Sequence, residues 1–325
     1  MARIEYDFSF WFYIPNKGAA IFFTLAFLFS TVLHYWQCHH YKYFRVTGIF
    51  VLCGLVYAAG FALRVLGGYG SDNNIVVFII SVCLIYMVPP LIALANYHIL
   101  GRILAYVPHL SPLHPGRVLS TFGLLSLIIE TLNGIGASFS SNPKASPGVI
   151  VAGHNIMRAS LAFQLILSVA FVSLTAYFHW RCTNAGIGRA RGINQPLTTL
   201  YISVALLLGR TVYRVVEHLA LEGVDREDPS DLPPPVGEEW PFAVFEASPM
   251  LVDMVLWNVR HPRRYLPADP TVHLAHDGLT EVEGPRLKDP RSWTAKILDP
   301  FDVMGMFRSR HRATTEGPCL SLASA

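Results

Sequence analysis

Residues 206–218 read LLLGRTVYRVVEH, and residues 240–258 read WPFAVFEASPMLVDMVLWN. Each is an apolar run broken by a few ionisable residues at helical spacing. The stretches that hold them, 197–219 and 240–259, have the length of about 20 residues that crosses about 30 Å of hydrocarbon at 1.5 Å per residue. Working outward, five more apolar stretches are marked off by charged or Pro/Gly-rich breaks, near 16–36, 46–66, 75–101, 118–138 and 159–180. Unpaired backbone groups cannot face lipid, and no strand alternation is present to build a closed barrel, so all seven are expected to be helices. The fold class expected is therefore all-α: a polytopic membrane protein with a bundle of seven transmembrane helices.

Composition agrees. Of 325 residues, 52% are hydrophobic and 14% charged, with a mean hydropathy of +0.40. A soluble domain averages about 25% charged residues, so too few charges are present to cover a water-soluble globule. The net charge of +3 forms no clustered basic face, which argues against a nucleic-acid partner. Five cysteines without a CxxC spacing suit reduced thiols better than a disulfide scaffold. The first residues are polar and aromatic, so no removable signal peptide is expected.

Basic residues near helix ends are retained in the cytoplasm. One set of loops holds Lys42, Arg45, Arg102, Arg117, Arg181, Arg189, Arg191, Arg260, Arg263 and Arg264, and the opposite set holds only Arg3, Lys17, Lys144, Arg158 and Arg226. This asymmetry places the N-terminus outside and the C-terminus in the cytoplasm. The chain divides into an outer segment (1–14), the seven-helix domain (15–260) and a cytoplasmic tail (261–325). The tail is rich in charge, Pro and Gly and is expected to be disordered. The acidic loop 222–239, with Pro233, Pro234 and Pro235, reads as a solvated outer loop.

A charged side chain at mid-membrane costs several kcal/mol, about 2.5–3.5 on insertion scales, and needs a partner, water or a function. Arg210, Arg214 and Glu217 fall on one face of the sixth segment, and Glu246 and Asp253 on one face of the seventh. Counting along the helices sets Arg214 opposite Glu246, with Arg210 between the levels of Glu246 and Asp253, so an ion-pair ladder is expected. Glu130 and Gln164 add polar groups in the fourth and fifth segments. Such residues serve either as ties between helices or as a polar pathway. Two arginines and three acids exceed what ties alone require, which favours the pathway. Glu130 also reads as a protonated acid bonded to nearby backbone, and Arg64 as a side chain that snorkels to the outer interface. Pro89, Pro90 and Pro249 interrupt helical hydrogen bonding and are candidate hinges.

Signatures of chemistry are absent from the sequence. There is no GxxxxGK[ST], no GxSxG and no HExxH. His39 and His40 fall in a loop and His98 stands alone in a helix, so no metal site and no cofactor are expected, and the chain is read as no enzyme.

Several short motifs in order carry a family resemblance. They are YIPNKGAAIFFTLAF (13–27), GFALR (60–64), LANYHILGR (94–102), SLAFQL (160–165), GRTVYRVVE (209–217), FEASPMLVD (245–253) and WNVRHPRRYLP (257–267). Together they make the chain resemble the fungal lipid-translocating exporters, the RTA-like proteins linked to resistance against toxic amphiphiles. The resemblance covers about 13–267. The chain departs from the family pattern at Tyr57, where a Glu is frequent, at Ser126 and Glu130, where an Asp and a Gln are, and at Arg263, where a glycine is usual. The resemblance implies a multi-pass protein of the plasma membrane whose partners are membrane lipids and an amphipathic small molecule. Its implied activity is translocation or export of lipids or lipid-like toxins such as sphingoid bases or sterol-like amines. The alternative from another class is a seven-helix receptor or sensor of membrane stress, and an intramembrane lipid-modifying enzyme ranks third.

Overall fold

The computed structural model describes residues 16–69, 75–140, 145–222, 238–275, 278 and 280–284. Seven helices in it are long and apolar enough to cross a membrane. We label them α1 (Lys17–Tyr41), α2 (Phe44–Tyr69), α3 (Ile75–Tyr106), α4 (Pro115–Ser140), α5 (Pro147–Asn184) and α6 (Arg191–Glu222). The seventh, α7, joins Glu239–Pro241, a wider π-helical stretch Phe242–Ala247, and Ser248–Val259. The segment 1–14, most of the loop after α6, and residues from 285 onward lie outside the described residues.

Local chemistry sets the ends. Asn16 caps α1, its Oδ1 accepting from the amides of Gly18 and Ala19 at 2.9 and 3.2 Å. Lys42, with φ 52°, takes the left-handed turn that ends α1, so His39 and His40 belong to the last helical turn and not to a loop. Helix α5 starts at Pro147, far ahead of the expected 159, and reaches 38 residues, or about 57 Å. Its early part is ordered by α4. Gly136 and Gly153 meet back to back, and a Cβ on Gly153 would stand 2.5 Å from the Ser140 nitrogen and 2.8 Å from the Gly136 oxygen. Small residues let two backbones approach in this way where lipid offers no hydrophobic drive for association.

Each helix packs on the next, α1 closes the ring against α7, and α3 also touches α6 across the centre. The core is aromatic between α1 and α2, where Phe27 stacks on Tyr57 at 4.4 Å and Phe23 on Phe61 at 5.1 Å. Large apolar side chains such as Phe22, Phe29, Val32, Leu127, Ile166 and Val252 remain on the outside, as a lipid-facing surface requires.

The reading of the chain after His261 as disordered is corrected for its described part. Pro262–Arg264 forms a 3-10 turn, and β1 (Val272–Leu274) pairs antiparallel with β2 (Glu281–Glu283), His273 opposite Val282. Contacts to the bundle hold this segment. Arg102 donates to the Pro267 carbonyl at 2.9 Å, His273 Nδ1 lies 2.7 Å from the Ala105 carbonyl, and Tyr106 donates to Glu281 at 2.9 Å. Gly278 has φ 70° and presses against Ile187, where a Cβ would come within 2.2 Å of Cγ2.

Candidate functional site

The polar interior is built on the seam between α6 and α7. On α6, Arg210 points inward and its Nε donates to Glu246 Oε1 at 2.7 Å, with the two side chains 6% and 0% exposed. Glu246 reaches this position through the π-helical stretch. Pro249 has no amide hydrogen, and the Ser248 amide and hydroxyl both turn back to the Ala243 carbonyl, five residues earlier. The widened turn carries Glu246 to full burial while Phe245 stays at the lipid surface.

The expected ladder is therefore corrected to a single rung, one helical turn from the expected place. Arg214 does not meet Glu246. It is held by Glu217, three residues on in its own helix, and its guanidinium sits 3.9 Å above the Tyr86 ring. Tyr213 donates to the same Glu217 at 3.5 Å. Asp253 stands two turns below Glu246, about 10 Å away along the helix. It is fully buried, and neither of its oxygens completes a hydrogen bond among the described residues, although the Ser203 hydroxyl faces it.

On the inner side of α6 lies a small polar chamber of about 30 Å³, bounded by α3, α4, α5 and α6. Glu130, Gln164 and Arg210 line it together with Pro89 and Pro90, so five of the residues singled out in the sequence share one space. Gln164 Nε2 donates to Glu130 Oε1 at 3.3 Å. Ser126 adds a hydroxyl, as do Ser168 and Thr211, which the sequence did not distinguish. One water needs roughly 10–15 Å³ of such volume, so the chamber has room for about two waters. Pro89 and Pro90 stay inside a continuous α3, and the carbonyls of Ile85 and Tyr86, four residues before them, lose their usual amide donors.

The outer side of the same seam is different in kind. Gly209, Val212, Tyr213, Val216, Trp240, Pro241 and Phe245 surround an apolar groove of about 330 Å³ open to the lipid side. Arg210 lines the chamber, while its sequence neighbour Gly209 lines the groove, as does Phe245, the neighbour of the paired Glu246.

Arg64 also departs from expectation. It does not snorkel: it is 4% exposed and forms a salt bridge with Glu239 at 3.3 Å, while its guanidinium covers the Phe242 ring at 4.4 Å. Glu239 accepts in addition from the Asn16 amide at 2.5 Å, which ties the starts of α1 and α7 to the end of α2. Arg64→Ala is expected to cost roughly 1–3 kcal/mol, below the range for a fully buried pair. Arg64→Lys keeps the charge and loses the fork, so it should recover part of the loss. Thermal midpoints of the purified protein in detergent measure both; equal midpoints for wild type and Arg64→Ala would refute the tie.

Among the described residues no three His, Cys, Asp or Glu side chains gather as a metal ligand set. Polar ties elsewhere knit α1 to α7: Asn258 donates to Ser30 Oγ at 2.7 Å, and Gln37 to the Asn258 carbonyl at 2.9 Å.

Comparison with known proteins follows the same lines. The family described as RTA1 like protein matches residues 50–269. A protein of Leptosphaeria maculans named lipid-translocating exporter-like protein RTA1 is 43% identical over 287 residues, covering 85% of this chain and 55% of the relative. This chain thus spans little more than half of that protein's length. A protein of the same name from Ajellomyces capsulatus is 29% identical over 277 residues, 81% of this chain and 83% of its own. The probable lipid transporter atnI of Emericella nidulans is 21% identical over 271 residues, 78% of this chain and 67% of its own. No solved structure matches.

Proposed function

This chain belongs to the RTA1-like family, and from that premise we propose that it moves amphipathic lipids or lipid-like toxic compounds, such as sphingoid bases or sterol-like amines, from one leaflet to the other. A lipid flips slowly because its head group must leave water and cross hydrocarbon. The observation that carries the reading is the pairing of unlike spaces on the two sides of α6. The apolar groove suits hydrocarbon tails, and the polar chamber, lined by Arg210 of the Arg210–Glu246 pair, suits a head group. Glu130 would accept hydrogen bonds from an ammonium head, and Arg210 would balance a phosphate.

In this scheme the state described here is occluded. Opening requires that Arg210 and Glu246 part and that α3 and α7 flex. Pro89, Pro90 and Pro249 are the positions where helical hydrogen bonds are already missing, so they serve as hinges. Arg214 and Glu217 hold the outer half of α6 against Tyr86 while this happens. The excess of arginines and lysines at one set of loops supports an outer N-terminus and a cytoplasmic C-terminus, and the plasma membrane is the proposed location.

Purified protein in liposomes should speed the movement of a fluorescent sphingoid base between leaflets. Glu130→Gln combined with Gln164→Leu should slow it at least tenfold without loss of folded protein. Gly209→Phe gives a separate test. A Cβ at Gly209 meets nothing within 4 Å, so the ring can fill the groove without displacing a neighbour. This variant should fold normally and lose most movement of the probe. Rates equal to protein-free liposomes, or full activity in Gly209→Phe, would refute the scheme.

A further inference from the structure

The buried charges of the bundle do not balance. Arg210 faces Glu246, Arg214 faces Glu217, and Arg64 faces Glu239, one cation to one acid. Glu130 has Gln164 and the chamber. Among the described residues Asp253 has no ion-pair partner, and Met250, Met254 and Trp257 of its own helix are all at 0% exposure. An ionised carboxylate in such surroundings costs many kcal/mol, so something must neutralise it.

The groups that face Asp253 decide what does. From α2 come Cys53 and Tyr57, whose electrostatic neighbours include Asp253. From α6 comes Ser203. From α1, His34 reaches only the neighbouring Met254 carbonyl, at 3.0 Å. Ser203 is the informative one. Its oxygen accepts from Asn96 Nδ2 at 2.8 Å and from Trp257 Nε1 at 3.3 Å, which occupies both lone pairs. It therefore presents a hydrogen, not a lone pair, toward Asp253. A metal cation needs a shell of oxygen lone pairs, and Ser203 has none left to offer one. The Tyr57 hydroxyl and the Asn96 Oδ1 atom are also buried and complete no hydrogen bond.

We propose that Asp253 is an exchangeable proton-binding site, loaded in the closed bundle, with Tyr57 as the hydroxyl that links it to the Glu246 level. The Oδ–H bond is the one made and broken, and the proton comes from water and returns to water. Release leaves a bare charge that only water can solvate, so unloading opens the α2–α6–α7 seam and loading closes it. The link to transport rests on the amphiphile-translocation reading above. The proton site itself does not.

Infrared difference spectroscopy of the protein in liposomes tests the site without any transport. Wild type should show the carbonyl stretch of a protonated carboxylic acid that shifts in heavy water and bleaches when the bathing pH is raised. Asp253→Asn should remove that band, and Glu246→Gln should keep it. Ser203→Ala should displace its frequency by deleting the facing hydroxyl, which gives a second readout should Asp253→Asn fold poorly. A band that survives in a folded Asp253→Asn, or is absent from wild type, or responds to sodium in place of pH, overturns the proposal. So does a band that neither exchanges nor bleaches. In the transport arm, one unit of pH difference across the liposome should change movement of the fluorescent base by up to about tenfold. Asp253→Asn, which cannot unload, should abolish that response and also lower movement without a gradient. A normal Asp253 band with no probe movement in any sample would refute the translocation reading and leave the proton site standing.

Discussion

Replacing Arg210 by methionine is expected to remove most folded protein from the membrane, because Glu246 would then be a fully buried carboxylate with no counterion. Breaking a buried pair from one side costs about 3–5 kcal/mol, against a total stability that is of order 5–15 kcal/mol for ordinary domains. Glu246→Leu should do similar damage from the other side by stranding Arg210. The two changes together replace the pair with apolar side chains of comparable bulk, and such replacements are neutral or stabilising in other buried pairs. Folded yield and thermal midpoint in detergent, read for wild type, both single variants and the double variant, form a complete cycle. The double variant should recover most of the loss while losing transport, since the charge that Arg210 presents to the chamber would be gone. Arg214→Ala with Glu246→Ala should show no such recovery, because Arg214 answers to Glu217 and Tyr86. Recovery in that second pair, and none in the first, would mean that the seam is one turn out of register from the arrangement described.

The seven spans were legible because lipid is a strict filter: a run of about 20 residues with almost no charge has few other fates. The residues of the chamber were legible for the converse reason, since Glu130, Gln164 and Arg210 stand out against an apolar background. What the sequence did not disclose was which charge meets which. Arg210 and Glu246 lie equally far along the chain from residues 197 and 259, so counting allowed their pairing, yet Arg214 was set opposite Glu246. The rotation of Glu246 into the seam depends on the π-helical stretch ahead of Pro249, and no local propensity announces that. Arg64 was misread because its partner Glu239 is 175 residues away and belongs to the acidic edge of a loop that looked solvated. The segment after His261 has weak local signals and is ordered by tertiary contacts with Arg102, Ala105 and Tyr106. Ser168 and Thr211 gave no signal, since small hydroxyl residues in membrane helices commonly bond their own backbone, as these do at 2.9 and 2.8 Å.

One substitution far from any charge is expected to disturb the chamber as much as a change in its lining. A methyl group on Gly153 would meet Ser140 N at 2.5 Å, Gly136 O at 2.8 Å and Phe139 Cβ at 2.9 Å. The first two are backbone atoms in the middle of a helix contact, so no rotamer can relieve the clash and α4 must separate from α5. Overpacking of this kind costs about 1–3 kcal/mol. It also reaches the site, because Glu130 and Gln164 sit on these same two helices and their 3.3 Å hydrogen bond spans the gap that would widen. Gly153→Ala should therefore lower the thermal midpoint and the rate of amphiphile movement together. Gly148→Ala supplies the control on the same helix: a Cβ there meets nothing within 4 Å, and exchanging glycine for alanine stabilises by roughly 0.5–1 kcal/mol in the middle of a helix and by less in a first turn such as this. The same chemical change five residues apart should thus have opposite signs. If both variants leave midpoint and rate at wild-type values, or shift them in the same direction, the backbones of α4 and α5 do not touch at Gly136 and Gly153, and the wall of the chamber is not built on that contact.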